Sequence, residues 1–199
     1  MALYLPKFNL LFIHIYKTAG TSTRLAFHKL DPGYGEIGGL HADIEEIEEH
    51  VEGKNLMTIV RNPYDWVYSL YHFCLYHISH PFHAYCTTHD FDQFTSWYIK
   101  NMEKLSEETS VNGKLQSQTE YITLNGKIRV QTILKMENLE VELNQFFKDF
   151  FRNARHIALD YRNVTPYGKL NPETFSRATL DLINQRFADD FKNFNYKMI

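Results

Sequence analysis

Two short apolar runs interrupt an otherwise mixed chain: Leu10-Leu11-Phe12-Ile13-His14-Ile15 and Leu56-Met57-Thr58-Ile59-Val60. Continuous apolar runs of this length, closed by turn-forming residues, predict strands buried on both faces. The first breaks into Tyr16-Lys17-Thr18-Ala19-Gly20-Thr21-Ser22, small residues and hydroxyls around one lysine and one glycine. A short helix over Ser22–Leu30 is predicted next, stopped by Asp31-Pro32-Gly33. The second run is closed by Arg61-Asn62-Pro63. Asn62 suits an N-cap and Pro63 the first helical position, so a second helix should begin there. Tyr64, Val67, Tyr68, Tyr71 and Leu75 would form its buried stripe.

Between these units, Gly33, Gly35, Gly38 and Gly39 predict an irregular loop. Ile44, Ile47 and Val51 then recur at helical spacing, predicting a surface helix that shows Glu45, Glu46, Glu48 and Glu49 to water. The stretch from His72 to His89 is rich in histidine and aromatic residues, and Pro81 breaks any continuous helix. Phe91–Met102 reads as a helix and Lys104–Gly113 as a polar loop. Tyr121–Leu124 and Lys127–Val130 flank Asn125-Gly126, a hairpin pattern suited to a type I′ turn. Thr132–Met136 reads as a strand, and Asn138 as the cap of a helix with Leu139, Leu143, Phe146, Phe147 and Phe150 inward. A loop over Asn163–Leu170 and a long helix after Asn171-Pro172, carrying Phe175, Ile183, Phe187, Phe191 and Phe194, complete the chain. There is no internal repeat or linker. The expectation is one α/β domain, residues 1–199, with a central, largely parallel sheet and helices on both faces.

Composition narrows the function classes. The chain has 199 residues, of which 44% are hydrophobic and 23% charged, the balance of a folded globular protein. Its net charge of -3 gives no overall pull toward nucleic acid or acidic membranes, so a bound anion must be held by a local cluster. The apolar N-terminal stretch contains Lys7, lacks a small-residue cleavage site and is too short for a membrane helix. With only Cys74 and Cys86, no disulfide framework is indicated. The expectation is a cytoplasmic protein without membrane insertion or nucleic-acid partner, its oligomeric state left open.

The chemistry concentrates at the ends of the two predicted strands. A strand, a tight turn and a helix N-terminus gather backbone N–H groups and the positive end of the helix dipole at one spot. Lys17 adds a charge there, and Thr18, Thr21 and Ser22 add hydroxyl donors and possible caps. Arg61 repeats the placement of Lys17 at the second strand, and ligands of open α/β sheets lie outside such carboxyl ends. A Walker loop requires its lysine after the glycine, whereas Lys17 precedes Gly20. No paired acidic residues are placed to hold magnesium.

Phe12-Ile13-His14-Ile15-Tyr16-Lys17-Thr18-Ala19-Gly20-Thr21-Ser22 resembles the 5′-phosphosulfate loop of sulfotransferases that use 3′-phosphoadenosine 5′-phosphosulfate (PAPS). The likeness is strongest to the branch containing the carbohydrate 2-O- and 6-O-sulfotransferases, whose loop reads F-I-H-I-P-K-T-G-G-T-S. Tyr16 stands in place of the proline and Ala19 in place of the first glycine. Arg61-Asn62-Pro63-Tyr64-Asp65-Trp66-Val67-Tyr68-Ser69 resembles that family's 3′-phosphate motif, R-N-P-x-D-R-x-x-S, with Trp66 where an arginine is common. Gln118–Ile122, Met136–Leu139 and Phe187–Tyr196 are weaker echoes in the same order. The resemblance implies a three-layer P-loop-like fold, PAPS as sulfate donor and no metal. It places Lys17, Thr18, Ala19, Gly20, Thr21 and Ser22 at the 5′ end of the donor, and Arg61 and Ser69 on the 3′-phosphate. It further implies an acceptor hydroxyl on a small molecule or glycan, with carbohydrate favoured.

Sulfuryl transfer to an alcohol needs a base, and a histidine with an unperturbed pKa of about 6.5 is well matched. His41 is the choice, since it follows the glycine-rich loop and matches a lysine-histidine segment of related bacterial proteins, with Leu40 in place of the lysine. His72 is the reserve, and His14, inside the first strand, reads as a core residue. His72, Cys74, His77, His80, His83, Cys86 and His89 could suggest zinc, but without a C-x-x-C pair they read better as the wall of an acceptor cleft. A nucleotide kinase using ATP and magnesium, or a binding module without activity, are the rival readings.

Overall fold

A computed structural model describes residues 1–108, 115–151, 156–160, 170–171 and 175–199. The chain is α/β and forms two compact units, Met1–Arg61 with Glu120–Asn163, and Asn62–Thr119 with Val164–Ile199.

The first unit is built on a five-stranded mixed sheet. Its strands are β1 (Ala2–Leu5), β2 (Leu10–Ile13), β3 (Gly35–Ile37), β4 (Asn55–Val60) and β7 (Thr132–Lys135), in the order β3-β1-β2-β4-β7. β2, β4 and β7 run parallel, with Ile13 beside Thr58 and Val60 beside Lys135. β1 pairs antiparallel with both β2 and β3. The expected largely parallel sheet is thus parallel only in its core, because an N-terminal strand and the glycine segment add an antiparallel flank. Gly35–Ile37, expected as loop, is strand because its backbone pairs with β1.

Alternation sorts the side chains by face. Leu3, Leu5, Leu10, Phe12, Met57, Ile59 and Leu134 pack with Ala26 and Phe27 of α1 (Gly20–Leu30) and with Leu139, Leu143 and Phe147 of α6 (Leu139–Phe150). Leu11, Ile13, Leu56, Thr58 and Val60, on the opposite face, are buried as well. This is why both runs read as continuously apolar.

Two further expectations change in this unit. The acidic segment forms turns and a 3-10 helix (Glu48–His50) instead of an α-helix, although Ile44, Ile47 and Val51 are buried as expected. The Asp43 carboxylate accepts from the Glu46 N–H, and the Ile44 N–H donates to the Tyr121 carbonyl. Both are first-turn donors that a helix would leave unpaired, and the segment instead closes in three-residue turns, the N–H groups of Glu48, His50 and Val51 donating to the carbonyls of Glu45, Ile47 and Glu48. Asn138 makes no side-chain cap, and α6 is entered through a 3-10 turn, Met136–Asn138. The hairpin forms about the expected Asn125-Gly126 turn, with positive φ at both, but its strands β5 (Thr123–Leu124) and β6 (Lys127–Ile128) are shorter than expected and Tyr121 falls in a helical turn.

The second unit is helical. α2 (Pro63–Tyr76) starts as predicted, the Asn62 side chain accepting from the Tyr64 N–H at 3.0 Å. Its buried face is rotated from the expected stripe: Tyr64, Trp66, Val67, Ser69, Leu70 and Cys74 are buried, while Tyr68, Tyr71 and Leu75 are only partly so. A tyrosine keeps its hydroxyl near polar partners, as Tyr71 does in donating to the His89 carbonyl. α3 (His83–Cys86) follows, then α4 (Phe91–Glu108), whose start is locked by reciprocal bonds between Asp90 and Gln93. Lys104–Glu108, expected as loop, continues α4, and 109–113 lie outside the described residues.

The single turn α5 (Gln118–Tyr121) begins with the N–H groups of Gln118 and Thr119 donating to the buried Asp190 carboxylate. The expected long C-terminal helix is two helices, α7 (Arg177–Arg186) and α8 (Ala188–Asn193), separated at Phe187. Ser176 caps α7, accepting from the Thr179 N–H; 172–174 and nearly all of the expected loop 163–170 lie outside the described residues. No helix among the described residues is long and apolar enough to cross a membrane.

Candidate functional site

At the carboxyl end of β2 the chain turns through residues 14–19 into α1. The Thr58 hydroxyl donates to the Ile13 carbonyl at 2.8 Å, and the buried Thr18 hydroxyl donates to the Ile15 carbonyl at 2.8 Å. Thr18 therefore braces the turn with its hydroxyl proton. Lys17 and Ala19 both lie in the left-handed region, at φ 61° and 62°. Each costs about 1–2 kcal/mol for a residue with a Cβ, and such strain gathers at ligand-binding turns. Ala19 is also the N-cap of α1 and supplies no side-chain cap, in place of the hydroxyl caps expected from sequence. Its carbonyl accepts both the N–H and the hydroxyl of Thr23 at 3.1 Å. The amides that open α1 therefore carry the positive end of the helix dipole with no capping side chain at Ala19.

Gly20 explains why this turn needs a glycine. A Cβ there would come within 1.7 Å of Nε2 of His14. The His14 ring thus lies directly on the first residue of α1. It also meets the ring of His41, 4.5 Å between centroids, and Tyr16 closes on His41 at 4.8 Å. Nδ1 of His41 lies 3.3 Å from the His14 carbonyl. A carbonyl only accepts, so Nδ1 carries the proton and Nε2 presents its lone pair.

His41 is 6% exposed, and burial pushes its pKa down to about 4. The bond to His14 works the other way, while the positive charges of the amino terminus and Lys17 deepen the depression. His14 is held well below the usual histidine range, first by burial and then by His41. At neutral pH both imidazoles are uncharged.

Arg61 directly follows Val60, so its position and the Lys17 turn occupy the carboxyl ends of neighbouring parallel strands. Lys135, in register with Val60, ends the third parallel strand, its N–H held by the Glu142 carboxylate at 2.7 Å. Lys135 is not among the residues the sequence singles out, although a basic residue near the end of the strand expected at 132–136 marks it. A scan against protein-family models and searches of curated proteins and of solved structures found no match.

Ser69 and His72 belong to the second unit. Ser69 is 3% exposed on the buried face of α2. His72 is partly buried, and burial lowers its pKa. Trp66 packs edge-on to Phe187 at 5.4 Å in that unit's core.

The histidine-rich stretch has a structural use. Nδ1 of His77 donates to the Phe73 carbonyl and Nδ1 of His83 to the Cys74 carbonyl, satisfying acceptors at the end of α2. His80 accepts the Phe82 N–H on Nδ1 and sets Nε2 3.8 Å from the Cys74 sulfur. Among the described residues, no group of three or more His, Cys, Asp or Glu is placed to hold a metal ion.

Proposed function

We propose that the chain is a PAPS-dependent O-sulfotransferase acting on an acceptor hydroxyl, with carbohydrate as the favoured class. The observation that carries this reading is the pairing of the Lys17 turn with Arg61 at the carboxyl ends of adjacent parallel strands, beside a neutral imidazole. The donor would supply the sulfuryl group and depart as 3′-phosphoadenosine 5′-phosphate. The opening amides of α1 and the Lys17 ammonium suit the 5′ end, and Arg61 suits a separate phosphate. The sequence motif assigns Ser69 to that phosphate as well.

In the reaction, the acceptor oxygen forms a bond to sulfur as the bond from sulfur to the 5′-phosphate oxygen breaks. Burial moves His41 from the 6.5 that suits a base at working pH to about 4, so it is a weaker base than the sequence implies but unprotonated at neutral pH. Its Nε2 takes the acceptor proton, and the Nδ1 bond to the His14 carbonyl holds the tautomer that permits it. Lys17 neutralises charge gathering on the departing phosphate oxygen. Preorganised charge of this kind commonly carries the larger part of the rate.

Thermal unfolding with added ligands tests the reading. 3′-Phosphoadenosine 5′-phosphate should raise the Tm, since a ligand at a hundredfold excess over its Kd adds about 2.7 kcal/mol of stability. A shift only with ATP and magnesium would instead favour a nucleotide kinase. Transfer of label from PAPS to a panel of sugar, phenol and peptide hydroxyls then identifies the acceptor.

A further inference from the structure

The second unit holds a groove of about 710 Å³ between the end of α3, one side of α4 and the start of α7, within the range of small-ligand sites. Three rings form a stack along it. Tyr85 lies between His89, at 3.8 Å and 4°, and Trp97, at 4.1 Å and 16°. Beside the rings, α4 contributes Asp92, Gln93, Ser96 and Lys100 to the lining.

The hydrogen-bonding character of these groups is set by what each already does. Nδ1 of His89 donates to the Tyr85 carbonyl at 3.0 Å, so Nε2 is an acceptor. Oε1 of Gln93 accepts the Asp90 N–H, which leaves the amide NH2 to donate. Asp92 accepts, Lys100 donates, and the Ser96 hydroxyl does both. An anion would want donors alone and a cation acceptors alone. Alternating donors and acceptors against an aromatic surface, with the charges of Asp92 and Lys100 offsetting one another, match a ligand whose hydroxyls both donate and accept and whose C–H faces are apolar.

We infer that this groove is a binding site for a neutral saccharide. The inference does not depend on sulfuryl transfer, and its test contains no sulfate donor. The chain has two tryptophans, and Trp66 is buried against Phe187, so a change in emission on adding sugar reports Trp97.

Chitotetraose, cellotetraose and maltotetraose are titrated into the full chain, followed by tryptophan emission and by saturation-transfer NMR. At least one should bind, and Asp92→Asn and Lys100→Met should each weaken it by about tenfold or more while leaving the circular dichroism unchanged. Absence of any response up to about 10 mM sugar, weaker than most specific sites, would overturn the inference. So would binding that both variants leave untouched, or binding of 2-naphthol with none of a sugar, which would reduce the groove to an aromatic surface.

Discussion

The imidazole of His14 occupies the space that a side chain on Gly20 would fill, a Cβ there falling 1.7 Å from Nε2. The same residue offers its carbonyl to His41. One strand-end histidine thus sets both the start of α1 and the tautomer of the proposed base.

Gly20→Ala should destabilise the protein by about 1–3 kcal/mol, the range for overpacking a filled site. His14→Ala in the same chain should restore much of that loss, since it removes the atoms in conflict. Urea unfolding of the two single variants and the double variant measures the coupling. Additive effects would mean that the contact does not govern the turn.

Ala19→Gly should raise stability by about 0.5–1 kcal/mol. The left-handed φ of 62° costs a residue with a Cβ about 1–2 kcal/mol, offset in part by the greater chain entropy of glycine. Glycine is also tolerated at an N-cap. A fall in Tm for this variant would contradict the strained geometry.

Acid should destabilise the fold in a defined window. His41 titrates near pH 4 in the folded chain and near 6.5 when unfolded, so the unfolded state binds more protons between those values. Its full contribution is present above pH 6.5, is lost as pH falls, and is gone by about pH 4, a change on the order of 3 kcal/mol. His14 acts in the same direction. His41 sits at φ 55°, which asparagine accepts, so His41→Asn should lose less stability between pH 7 and pH 4.5 in urea titrations.

The transfer reaction should stop with His41→Asn while 3′-phosphoadenosine 5′-phosphate still binds. In the unaltered protein, kcat/KM should hold to well below pH 6, because the acid limb follows a base titrating near 4. An acid limb centred near 6.5 would point to an unperturbed histidine elsewhere.

Lys17→Ala should lower turnover by at least about 10²-fold with the fold intact, the scale seen when one charge-stabilising group is removed from a site. Arg61→Ala should weaken binding of 3′-phosphoadenosine 5′-phosphate by about tenfold or more and flatten its salt dependence. Near-normal transfer by Lys17→Ala would sink the mechanism.

The sequence by itself determined what neighbouring residues encode. The buried strands at 10–13 and 55–60, the Asn62 cap with Pro63, and the Asn125-Gly126 turn follow from runs, caps and turn residues a few positions apart. It also brought Lys17 and Arg61 into view, because each closes such a run.

Tertiary structure decided whatever depends on segments far apart in the chain. β3 is a strand only because β1 lies beside it, and the acidic segment, docked on Tyr121 through the Ile44 N–H, closes in three-residue turns in place of the α-helix its spacing predicts. The histidines at 77 and 83 read from sequence as the wall of an acceptor cleft, and only packing shows the carbonyls at the end of α2 to which they donate. His14 reads as a core residue from sequence, and packing shows what it is buried against, Gly20 and His41. A local pattern records a residue's own preferences. Which atoms press against it, and hence its pKa, its tautomer and its strain, is settled only when distant segments pack.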